Sequence, residues 1–85
     1  MSGWDKLIDK IARGGADANI AFGELCGLLR AMGFHERIRG DHHIFSRADV
    51  EEIVNLQPRG NLAKPYQVKQ VRELILRYGL RGFHV

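Results

Sequence analysis

The stretch Phe34–Gln57, FHERIRGDHHIFSRADVEEIVNLQ, breaks the helical spacing on either side of it and decides the fold. Phe34, Glu36 and Ile38 fall on one side of an extended chain, and His35, Arg37 and Arg39 on the other. Gly40 ends that run. HHIFSR and VEEIVNLQ follow, rich in Ile, Val and Phe and joined by the short polar turn Ala48-Asp49. Three strand-like runs joined this closely predict an antiparallel meander.

Outside this stretch the period changes to that of a helix. Trp4, Leu7, Ile8 and Ile11 form one stripe that stops at Gly14-Gly15. Leu25, Leu28, Leu29 and Met32 repeat the spacing ahead of Gly33, which predicts a helix from about Gly23 to Met32. QPRGNLAKP reads as a loop from its proline and glycine content. Pro65 suits the first turn of a last helix, PYQVKQVRELILRY, with Val68, Val71, Ile75 and Tyr78 inward, Leu74 flanking, and Gly79 as its cap. Lys69, Arg72, Glu73 and Arg77 fall largely on its other side, and the tail LRGFHV is too short to assign. The expected fold class is α+β and two-layered, a three-stranded antiparallel sheet with helices on one face and the other face left open.

Eighty-five residues allow one domain spanning 1–85, with 45% hydrophobic and 27% charged residues arguing for a globular core. No long apolar run suggests a membrane span or a secretory signal, so a cytoplasmic protein with no membrane partner is expected. The net charge is +3, but from Ile53 onward six bases (Arg59, Lys64, Lys69, Arg72, Arg77, Arg81) face one acid, Glu73. A surface that meets phosphates carries such an excess, and so does an ordinary solvated helix face.

Several chemistries are poorly supported. His42 and His43 are adjacent on a strand, so their side chains point to opposite faces and cannot chelate one ion. The chain has one cysteine and neither CxxC nor HExxH, so no metal site and no cofactor is expected. Cys26 lies among apolar residues and reads as a small buried hydrophobe. Ser2 is terminal and Ser46 lacks the context of an activated nucleophile. Phe45 is the largest apolar residue of its strand and should face the core, which turns His43 inward and His42 outward. Ile44 shares the face of His42 and blunts that argument. By the same alternation Asp41 should point with His43, away from His42.

The run from Asp17 to Leu80, and above all GFHERIRGDHHIFSR and NLQPRGNLAKPYQVKQVR, resembles HicA-family toxins of bacterial toxin-antitoxin systems. Within that family it resembles a longer subgroup with an extra N-terminal helix, which residues 1–15 would form ahead of a 17–80 core. The hallmark is a Gly-Ser-His-His segment entering a hydrophobic strand. The resemblance implies a double-stranded-RNA-binding-domain-like fold, helix-strand-strand-strand-helix. It also implies an endoribonuclease that cleaves messenger RNA, and a HicB-type antitoxin as protein partner. On this chain the motif glycine falls on Gly40 and the essential histidine on His42, with His43 as second candidate. Asp41 departs from the family's serine.

Metal-free RNA cleavage needs a base for the 2′-hydroxyl proton and cations for the charge at phosphorus. His42 would be the base. Lys64 and Lys69, at the start of the last helix, are the best-placed cations because a helix N-terminus adds partial positive charge. Arg37, Arg39 and Arg59 come next. A non-catalytic RNA-binding module and a pure protein-interaction domain remain open on the same residues.

Overall fold

The computed structural model describes residues 3–80. Ser2 and the tail from Arg81 to Val85 lie outside the described residues. The elements are α1 (Asp5–Arg13), a 3-10 turn (Asp17–Asn19), α2 (Phe22–Ala31), β1 (His35–Arg39), β2 (His42–Arg47), β3 (Val50–Leu56), β4 (Pro58–Arg59), β5 (Leu62–Ala63) and α3 (Pro65–Tyr78). Strands β1, β2 and β3 form the antiparallel meander in sequence order, and the fold is α+β as the periodicities predict.

Each boundary has a local cause. Arg39 pairs with His42, so Gly40 and Asp41 make a two-residue hairpin turn. Gly40 takes φ 61° while no non-glycine residue has positive φ, the sign pattern of a type II′ turn, which matches the twist of the flanking strands. At the end of α2 the Gly33 N–H donates to Arg30 O and the Phe34 N–H to Leu29 O, both at 3.0 Å. This is a Schellman stop, with Gly33 in the left-handed conformation that it needs. Pro65 opens α3 at the first helical position, and Gly79 closes it with its N–H on Ile75 O.

One face of the sheet carries Phe45, Val54 and Leu56, all fully buried. They meet Leu25, Leu28 and Leu29 of α2, Val68, Val71 and Ile75 of α3, and Ile11 of α1 in a single apolar cluster. Burial of side chains this size stabilises by about 1.5–3 kcal/mol each. Trp4, expected in the stripe of α1, sits just before the helix and packs on the cluster. Its ring lies so close to α2 that a Cβ at Gly27 would stand 2.8 Å from it, which explains a glycine inside that helix. Arg72 is more than a solvated base: its guanidinium donates to both Asp17 carboxylate oxygens, at 2.8 and 3.1 Å, and to Ile11 O. It thereby ties α3 to the end of α1 and to the 3-10 turn. Arg77 pairs with Glu52 on β3, and Glu52 also accepts from the Tyr78 hydroxyl at 2.6 Å.

The segment 57–65 is more ordered than its loop-like composition suggests. Pro58 pairs with Ala63 and Arg59 with Leu62 around Gly60-Asn61, and this small hairpin is stitched to the start of α2. The Ala63 N–H donates to Ile20 O and the Phe22 N–H to Asn61 O, each at 2.9 Å. Turn residues mark the bend in the sequence, but the pairing partner lies some forty residues earlier. Among the described residues no helix is long and apolar enough to cross a membrane.

Candidate active site on the open sheet face

Cross-strand pairing sorts the sheet's two faces. Arg39 lies opposite His42, Arg37 opposite Ile44, and Ile44 opposite Asn55. Residues directly opposite share a face, so Arg37, Arg39, His42, Ile44, Ile53 and Asn55 all belong to the face that the helices leave open. Ile53 is 62% exposed there. The pairing of Phe45 with Val54 fixes the opposite, buried face. His42 outward and His43 inward is therefore the observed arrangement.

His42 is held at one ring nitrogen and open at the other. Its Nδ1 lies 3.1 Å from Asn55 Oδ1. An amide oxygen only accepts, so Nδ1 carries the hydrogen and the neutral ring keeps its lone pair on Nε2. Nε2 has no hydrogen-bond partner among the described residues, and the nearest charge to it is Asp41 Oδ1 at 3.8 Å. Asp41 therefore does not point away from His42 as strand alternation predicts. It belongs to the hairpin turn, where alternation does not apply, and its carboxylate swings over the histidine. Gln57 holds it there, donating from Nε2 to Asp41 Oδ2 at 2.9 Å. That bond, helped by the nearby His42 and Lys64, keeps the Asp41 carboxyl below its ordinary pKa. Gln57 in turn accepts from Lys64 Nζ at 3.1 Å, so Lys64, Gln57, Asp41 and His42 form one polar chain.

His43 does different work. Its Nδ1 donates to Glu36 Oε2 at 2.7 Å, and Arg30 Nη1 donates to Glu36 Oε1 at the same distance. The His43 ring meets Phe22 edge-on, centroids 5.0 Å apart. The hydrogen bond from His43, with Arg30 behind it, holds the Glu36 carboxyl low. Cys26 completes the group. Ligand atoms of Cys26, Glu36 and His43 lie within 4.8 Å of one another, the set that could hold a metal ion. Burial, then the Glu36 charge, pushes the Cys26 thiol up to about 11.

The cations expected at the site divide. Lys64 joins the His42 chain, and Arg37 and Arg39 share its face. Lys69 lies within electrostatic reach of Asp17, beside Arg72 rather than His42. Arg59 is on the small hairpin, lining a separate hollow with Ala18, Leu62, Ala63 and Pro65. Neither Lys69 nor Arg59 is brought to the His42 groove, because the first turn of α3 presents other residues to it.

Those residues are the part that sequence reasoning misses. A groove of about 250 Å³ beside His42 is lined by Ile53, Asn55, Gln57, Tyr66, Gln67 and Gln70. Four of these carry neutral amides, which charge-counting overlooks. The signal that could have found them is period: Gln67 and Gln70 are spaced i, i+3 on α3, and Asn55 and Gln57 are spaced i, i+2 on the strand and its exit. No protein-family model, curated protein or solved structure matches this chain.

Proposed function

We propose that the protein is an RNA-cleaving toxin of a toxin-antitoxin pair, a metal-independent endoribonuclease in which His42 is the general base. The observation that carries this reading is His42 Nε2, exposed on an open sheet face with its lone pair available, while Asn55 fixes the ring from behind. Nε2 takes the proton of a ribose 2′-hydroxyl, and the freed oxygen attacks the adjacent phosphorus. The bond to the 5′-oxygen breaks, that oxygen is protonated by solvent, and the products are a 2′,3′-cyclic phosphate and a 5′-hydroxyl end. Lys64, with Arg37 and Arg39 on the same face, offsets the charge that gathers on the phosphoryl oxygens. The double-stranded-RNA-binding-domain likeness and a cytoplasmic location belong to this reading. So does a HicB-type antitoxin, and Ile53, exposed beside the histidine, is the kind of residue a covering protein would bury.

The test is cleavage of single-stranded RNA by the purified chain in excess chelator, with His42→Ala and His43→Ala checked for folding by thermal melt. His42→Ala should fold and lose about 10²–10⁴-fold in rate, the range of a general base. A folded His42→Ala variant with full activity, or loss of cleavage on chelation, refutes the mechanism. Affinity for uncleavable RNA should fall with salt, and Lys64→Ala should reduce the slope of log K against log salt by about 0.7, one single-strand phosphate. Expression alone should arrest growth, and co-expression of an adjacently encoded partner should restore it.

A further inference from the structure

Gln67 is fully buried in the first turn of α3, at the N3 position of a capping box. Its Oε1 accepts the backbone N–H of Lys64 at 3.1 Å. Its Nε2 has no hydrogen-bond partner, the one buried side-chain nitrogen or oxygen among the described residues in that state. A buried donor left unmade is costly, and persists where something else supplies the acceptor. Gln67 lines the groove beside His42, and Tyr66, 63% exposed, lines it too. Neither lysine nor arginine lines this groove, so its walls suit a neutral edge rather than a phosphate.

We propose that this groove is a nucleobase subsite, in which Tyr66 stacks one base and Gln67 Nε2 donates to a keto oxygen on that base's edge. The inference rests on the RNA reading and adds to it the class of nucleotide recognised. With Oε1 committed to Lys64, the Gln67 amide offers a donor and no acceptor. It accepts uracil and guanine, whose O4 and O6 are acceptors, and opposes cytosine and adenine, whose amino groups at the same positions would meet donor with donor. Tyrosine stacking is tolerant of base identity and supplies affinity, while the amide supplies choice. The volume of about 250 Å³ lies below the about 300 Å³ at which drug-sized sites begin, and fits one base rather than a larger ligand.

The experiment measures binding of fluorescein-labelled 2′-fluoro hexamers, which cannot be cleaved, by anisotropy on the full chain. Uridine is compared with cytidine, and inosine with adenosine, pairs that exchange keto for amino on the same ring. Wild type should prefer the keto member of each pair by about 2- to 12-fold, the worth of one hydrogen bond. Gln67→Glu keeps the acceptor for Lys64 and removes the donor, and should erase that preference. Tyr66→Ala should weaken all four hexamers about fivefold or more, with Tyr66→Phe restoring them, and at this exposed position the fold is not at stake. Equal binding of all four hexamers to wild type, or a keto preference that survives Gln67→Glu, overturns the subsite. RNA cleavage is scored separately. A chain that shows the keto preference but cuts no RNA refutes the nuclease reading alone, and one that cuts RNA with no preference refutes the subsite alone.

Discussion

Removing the Asn55 amide should lower kcat for RNA cleavage about two- to fivefold. Asn55 does not touch the reacting atoms: it accepts from His42 Nδ1 and so keeps the lone pair on Nε2. The bond length of 3.1 Å is at the long end of the N–H···O range, and the ring is about half exposed, so water competes for both partners. The low end of the net worth of a hydrogen bond, about 0.5–1 kcal/mol, is therefore appropriate, and it converts to that two- to fivefold. Asn55→Ala lets the ring populate the other tautomer and turn, which lowers kcat. Asn55→Asp keeps an acceptor but adds a charge that favours the protonated ring, so its activity should be poor near pH 6 and recover as pH rises. The assay is single-turnover cleavage of a short RNA from pH 5 to 9. An Asn55→Ala variant that matches wild type, that changes KM alone, or that falls as far as His42→Ala would refute the positioning role.

Asp41→Ser should cleave faster than wild type, because the carboxylate 3.8 Å from Nε2 repels the phosphate that has to approach there. An unchanged rate would mean that Gln57 and Lys64 already offset its charge. Gly27→Ala should lower stability by about 0–2 kcal/mol, since overpacking against Trp4 costs about 1–3 and the gain in helix propensity returns about 1. In a Trp4→Ala background the same change should raise the melting temperature, and a loss there would refute the clash. The Asp17 carboxyl is held below its ordinary 3.8 chiefly by the Arg72 hydrogen bond. That contribution is complete above about pH 3.8 and is lost as pH falls through the lowered folded value. Urea unfolding from pH 6 to 2 should therefore show a smaller acid loss in Arg72→Ala than in wild type.

Period alone determined most of the fold. Alternation from Phe45 to Leu56 and the stripes at Leu25–Met32 and Val68–Ile75 each bury one face, while Ile38 of β1 stays 58% exposed, and the element order followed because the strand connections are short. That His42 and His43 face apart was legible for the same reason, and Phe45, the largest apolar residue of the strand, indicated which of them turns inward. What the sequence could not determine is which groups meet His42. Asn55, Gln57 and Lys64 come from β3, its exit and the start of α3, 13, 15 and 22 positions away along the chain. Whether they arrive depends on sheet register and on the angle at which α3 docks, both set by core packing and not by any local pattern. Asp41 is the sharpest case: a two-residue turn, with Gly40 at positive φ, suspends the alternation and brings its carboxylate over the histidine. Lys69 is the converse case, basic and near the same helix end yet carried by the helical turn to the Asp17 side. A residue's type and period are local quantities. Its neighbours across a sheet or at a helix end are decided only when the core closes.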